Sequence, residues 1–288
     1  MTSYDLHQHL WPERFVAALR SRVGPPLLED DELVTREGRF PARIERNDPE
    51  SRVRELDRDG IDVAVLSLQA TLGLERLSAD ERAALEGAWA EGVAELAATA
   101  GGRFAWISPG RLRPGAVGVS VGATELLDPD ALAPVLGEAE AEGRFVFVHP
   151  DAGEPPAPPF PPWWGWVTGY AARMQEAYLL WLAEGRARWP ELRVLFAMLA
   201  GGAPFQLERL AHQGVDVRST LDANLFLDVA TYGRRAIELC IETFGVGQLV
   251  YGSDTPVLDP STTLHAVRRF GESVVEIIQT ETPRALLR

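Results

Sequence analysis

The sequence predicts an α/β fold, a (β/α)8 barrel of the TIM type. Short β-rich runs recur along its 288 residues, and amphipathic Ala-, Leu- and Glu-rich stretches separate them. Alternation of this kind reads as repeated βα units. Several runs are apolar nearly throughout, as parallel strands covered on both faces must be, which favours a barrel or a doubly wound sheet. The length suits one barrel domain over 1–288.

In order, the first strand is expected in YDLHQHL (4–10), and a long loop insertion, 24–50, follows it and is a candidate border of the site. IDVAVLSL (61–68) and RFAWIS (103–108) give the second and third strands, and the Gly- and Val-rich AVGVSVGAT (116–124) gives the fourth. Only SPGRLRPG separates the third from the fourth, too few residues for a crossover helix, so one barrel helix is expected to be missing there. RFVFVH (144–149), LRVLFAML (192–199), NLFLDVA (224–230) and QLVYGS (248–253) complete eight strands.

After RFVFVH comes a second insertion, the Pro- and Trp-rich stretch 150–170. Trp163, Trp164 and Trp166 could form an apolar lid over a pocket, or the loop could simply pack on the barrel rim; both readings stay open.

A formal charge of -14 opposes binding to nucleic acid or anionic membranes, which reward clustered Lys and Arg. No apolar run approaches the roughly 18 residues of a spanning helix. Cys240 is the single cysteine, so a metal would need His and carboxylate ligands, and a reducing cytoplasm is the expected location.

Side chains alternate along a strand, so His7 and His9 in DLHQHL share one face, which inside a barrel looks into the pocket. His149 ends the fifth strand and Asp254 follows the eighth, and barrel enzymes place their reacting groups at such strand ends. Three of the five histidines thus fall at the barrel mouth, whereas His212 and His265 lie in helical stretches and read as structural. Nitrogen and oxygen ligands so grouped suit one divalent metal, Zn first, with Mn or Fe as alternatives.

The words DLHQHLWPE, DPESRVRELDRDGIDVAVLS, FVFVHP, WPELRVLFAMLAGGAPF and LVYGSDTP, spread over nearly the whole chain, resemble the amidohydrolase superfamily. Within it they resemble the branch of aminocarboxymuconate semialdehyde decarboxylase and related hydrolases. The resemblance implies a mononuclear site made by His7, His9, His149 and Asp254. It also implies a sixth-strand histidine, where this sequence has Met198, and a carboxylate-binding arginine in the first loop, for which Arg43 is chosen among Arg39, Arg43 and Arg46. Homo-oligomerisation is a further expectation, with no seam readable in the sequence.

The function expected from these residues is hydrolysis of an amide, ester or lactone in a small molecule. Asp254 would be the catalytic base, and Arg43, the three tryptophans and Met198 would line the substrate. A thioether cannot shuttle protons, and hydrolysis can proceed through Asp254 without the missing imidazole. The alternatives are metal-dependent nonoxidative decarboxylation of an aromatic or enoic acid, and a barrel that binds ligand without catalysis.

Overall fold

The computed structural model describes residues 1–154, 160–161, 163–217 and 222–288. Eight parallel strands form one sheet in the order β1 (Tyr4–Gln8), β5 (Val63–Leu66), β6 (Phe104–Pro109), β7 (Gly118–Gly122), β8 (Phe145–His149), β9 (Val194–Phe196), β10 (Leu225–Asp228) and β11 (Leu249–Val250). Each matches one of the eight β-rich runs of the sequence, β6 extending one residue past its run to Pro109. Backbone hydrogen bonds join the first strand to the last: Leu6 N donates to Tyr251 O (2.9 Å), Asp254 N to His7 O (2.8 Å) and His9 N to Thr255 O (2.7 Å). The sheet therefore curls into a (β/α)8 barrel.

Strand residues are buried on both faces, as in FVFVH of β8 and LFLD of β10, because helices cover the outside and side chains fill the inside. The helix Ala79–Thr99 starts on a capping box in which Ser78 and Glu81 exchange hydrogen bonds, and it buries Trp89 and Val93 against the barrel.

The helix expected to be missing is missing: no helix lies between β6 and β7. The connection instead is a short run of bends and a turn, with positive φ at Gly110 and Gly115. Arg113 braces it by donating to Ser108 Oγ and Pro109 O, both at 2.8 Å, and its guanidinium lies 3.7 Å from the buried carboxylate of Glu86 in the neighbouring helix.

Segment 24–50 is more ordered than a plain loop. It holds an antiparallel sheet of β2 (Leu27–Glu29), β3 (Glu32–Thr35) and β4 (Gly38–Pro41). In segment 150–170, residues 155–159 and 162 lie outside the described residues. Among the described residues no helix is long and apolar enough to cross a membrane.

The run 192–199 is shorter as a strand than the sequence suggests. β9 ends at Phe196, because Met198, Leu199 and Ala200 take left-handed backbone angles (φ 54°, 49° and 50°) and Gly201 continues them (φ 66°). Such a run ends extension at once and leaves Met198 in a turn beyond the strand.

Candidate metal centre

Strand alternation sends His7 and His9 into the barrel, and the end of β8 brings His149 to meet them. All three are buried, with ring centroids 4.9 to 5.3 Å apart, and one nitrogen from each lies within 4.8 Å of the others. Phe147, one strand position pair below His149, packs edge-on against both His7 and His149.

The other nitrogen of each ring is engaged by an acceptor. His9 Nδ1 donates to the Ser67 carbonyl (2.8 Å), His149 Nδ1 to the Pro150 carbonyl (2.7 Å) and His7 Nδ1 to Asp228 Oδ2 (2.7 Å). Since those acceptors require the proton on Nδ1, a neutral ring turns its Nε2 lone pair inward. Second partners of this kind orient metal-ligating histidines.

His7 Nε2 and His9 Nε2 face each other at 3.1 Å, and Asp254 Oδ1 lies 3.1 Å from His9 Nε2 and 3.6 Å from His7 Nε2. Donor atoms each about 2.1 Å from one ion stand roughly 3.0–3.4 Å apart, so the two spacings at His9 fit the edges of a coordination shell and the third is slightly longer. Lone pairs and a carboxylate facing one another in a buried space need a cation between them. The donor set fits one divalent metal.

The charge states of His9 and His149 agree with that. Burial lowers the pKa of His9 despite the nearby Asp254, and burial together with the charges of His7 and His9 holds His149 well below the usual range, so both favour the neutral form that coordinates. Burial also opposes charge on His7, but the Asp228 carboxylate outweighs it, with help from Asp254 and Asp5, and carries its pKa up to about 9. Asp254 is held below the usual carboxylate range: burial opposes its charge, and the His9 contact and the three imidazoles overcome that.

Asp228 is the residue that the sequence reading passed over. It ends β10 in NLFLDVA, the same strand-end position that singled out His149 and Asp254, and that signal could have found it. Its Oδ1 also accepts from Met198 N (3.1 Å) and Ala230 N (2.8 Å). Arg52, in the word DPESRVRELD, is also fully buried and donates to Gln8 Oε1 (2.8 Å), the His9 carbonyl (3.1 Å) and the Arg46 carbonyl (3.1 Å).

The expected substrate-lining residues are placed less compactly. Met198 reaches the cluster through its backbone N–H on Asp228, while its side chain is partly buried against the core. Trp163, Trp164 and Trp166 are exposed, and their described ring contacts are with one another, Phe160 and Phe40 rather than with the histidines. Arg43 is exposed at the start of a short 3-10 turn. Arg39 pairs with Glu29 and Glu32, and Arg46 donates to the Pro256 carbonyl (2.8 Å), two residues past Asp254. His212 and His265 are exposed on helices away from the cluster.

Between the two insertions runs a polar clasp. Glu37, in the turn between β3 and β4, accepts from Gly153 N and from the Tyr170 hydroxyl, both at 2.6 Å. Arg173 donates to Asp151 Oδ1 (2.9 Å) and to the Asp151 carbonyl (2.8 Å), two residues past His149.

No protein-family profile matches the chain. In sequence it is 25% identical over 279 residues to 2-amino-3-carboxymuconate-6-semialdehyde decarboxylase of Dictyostelium discoideum, covering 83% of this chain and 77% of that protein. In structure it is similar to the apo form of an IDCase from Metarhizium anisopliae, with a TM-score of 0.82 at 20% identity over 100% of this chain and 97% of that one. It is also similar to a manganese-bound 5-carboxyvanillate decarboxylase from Novosphingobium aromaticivorans, with a TM-score of 0.75 at 17% identity, covering 99% and 97%.

These findings overturn the expectation of amide, ester or lactone hydrolysis. That expectation rested on the proton chemistry lost with a histidine at Met198, yet the sequence relative and the manganese-bound neighbour are decarboxylases. Of the expected ions, zinc first with manganese or iron as alternatives, manganese is the one that this solved neighbour holds. Motif words, barrel and strand-end donors therefore point one way, and the chain is similar to the amidohydrolase-superfamily decarboxylases of the aminocarboxymuconate semialdehyde decarboxylase branch.

Proposed function

We propose that this protein is a metal-dependent nonoxidative decarboxylase of a small aromatic or enoic carboxylic acid. The observation that carries the reading is the convergence of His7, His9 and His149, each with its outer nitrogen engaged, beside Asp254 at the barrel mouth. The relative that is 25% identical supports decarboxylation as the reaction.

His7, His9, His149 and Asp254 would hold one divalent ion, Mn or Zn. Such an ion supplies Lewis acidity that anchors a substrate carboxylate and a neighbouring oxygen. The bond from carbon to the carboxylate breaks, carbon dioxide leaves, and the electron pair left on carbon takes up a proton.

Asp254 is the proton carrier in this reading. It is ionised near neutrality, so it first accepts a proton, from a substrate hydroxyl or from solvent, and then returns it to the carbon that loses carbon dioxide. Met198 offers no such service, so Asp254 acts without an imidazole from the sixth strand. Arg46, tied to the loop that follows Asp254, and Arg43 are the first-loop cations for a substrate anion, and the tryptophans of the second insertion are the apolar wall.

The test is carbon dioxide release from a panel of hydroxybenzoic, vanillic-type and enoic acids by Mn-loaded and Zn-loaded protein. The wild type is expected to turn over at least one of them, and His149→Ala and Asp254→Asn to lower that rate by roughly two orders of magnitude or more. Metal-loaded wild type that releases no carbon dioxide from any of them would sink the reading.

A further inference from the structure

Asp228 is fully buried at the end of β10, and both of its oxygens are engaged. Oδ2 takes the His7 Nδ1 proton at 2.7 Å, and Oδ1 takes the N–H groups of Met198 (3.1 Å) and Ala230 (2.8 Å). All three partners are donors. A carboxylate accepts on both oxygens, whereas a carboxamide accepts on one side and donates on the other. An asparagine here must therefore set its NH2 group either against the two backbone N–H groups or against His7 Nδ1. The first choice orphans two buried donors, and the second drives the His7 proton to Nε2, away from Asp228 and onto the atom that faces His9 and Asp254.

The packing allows no slack in this contact. A Cβ on Gly252 would stand 2.8 Å from His7 Cβ and 3.2 Å from Asp228 Cγ, so the segment between β11 and Asp254 leaves room for the pair only because that position is glycine.

We propose that Asp228 is a positioning residue: it holds the His7 proton on Nδ1 so that Nε2 presents a lone pair to the metal, and its other oxygen sets the left-handed turn from Met198 to Gly201. The residue at the sixth-strand position is thereby placed by the same carboxylate that orients a first-strand ligand. The inference rests on the metal reading given above.

The experiment is Mn2+ affinity by equilibrium dialysis for wild type, Asp228→Asn, His7→Ala and the double variant, with circular dichroism on each. Asp228→Asn is expected to keep its fold and bind about 10- to 100-fold more weakly, the usual effect of removing a partner of a ligating histidine. In the His7→Ala background the same change is expected to add less than about twofold, because its route to the metal is already gone. Unchanged affinity in Asp228→Asn overturns the proposal, and so does an equal further loss in the His7→Ala background. Should Asp228→Asn not fold, imidazole 15N spectra of Zn-loaded wild type decide instead: a proton on His7 Nδ1 is expected, and one on Nε2 overturns it. Wild type that takes up neither metal overturns the metal reading as well, which separates the two failures.

Discussion

A methyl group at Gly201 would fall inside contact distance of the Ala171 carbonyl oxygen, on a backbone that already stands at φ 66°. Gly201→Ala is therefore expected to lower the unfolding free energy by about 2–3 kcal/mol, from left-handed strain plus overpacking. Urea denaturation measures this, and a loss under about 0.5 kcal/mol would contradict the turn as described. At this scale His7, His9, His149 and Asp254 were legible because strand alternation and strand-end position are local properties. Asp228 carried the same signal but was read only as part of an apolar strand. Which nitrogen of each imidazole faces inward was not legible, since that depends on the Ser67 and Pro150 carbonyls and on Asp228, most of them far away in sequence. Nor could the sequence place Arg43, Arg39 and Arg46 relative to the site, because their directions follow from cross-strand pairing in β2–β4 and the 3-10 turn after it.

Among the elements, the small β2–β4 sheet and the Pro- and Trp-rich insertion are hydrogen-bonded through Glu37. Glu37 sits in a two-residue turn, and its two hydrogen bonds, to Gly153 N and to the Tyr170 hydroxyl, join segments that share no barrel strand. Phe40 against Trp166 adds a ring contact of 5.7 Å between the same segments. Glu37→Ala is expected to raise amide hydrogen exchange over residues 27–41 by about tenfold while the melting temperature moves by less than about 2 °C, because the barrel core is untouched. Equal protection in the variant would show that the clasp does not hold the sheet. The absent helix between β6 and β7 could be read from the eight residues available, since a count of residues is enough to exclude a crossover helix. The β2–β4 sheet could not, because its strands are short, and polar residues dominate their pattern.

Across the whole molecule the barrel was legible because eight β-rich runs, most of them separated by helical stretches, leave few other arrangements. The last strand returns to the first, where Asp5 Oδ1 accepts from Ser253 N (3.0 Å) over a sequence separation of 248. A metal bound by the proposed ligands would span this same seam, since His7 and His9 stand on one side and Asp254 on the other. Removing it with a chelator is expected to lower the melting temperature by on the order of 5 °C, as about 2.7 kcal/mol is lost when metal present at a hundredfold excess over its Kd is withdrawn. Differential scanning fluorimetry with and without Mn2+ checks this, and identical transitions would show that the ion does not bridge the seam.

The seam also dates the centre within the life of each molecule. During synthesis His7 and His9 leave the ribosome well before Asp254, which emerges only after β11. A nascent chain can thus display His7 and His9 to any passing ion, yet the full set of donors comes into being only when the eighth strand docks on the first. Loading of a metal held by all four donors would be a late event that reports a finished barrel.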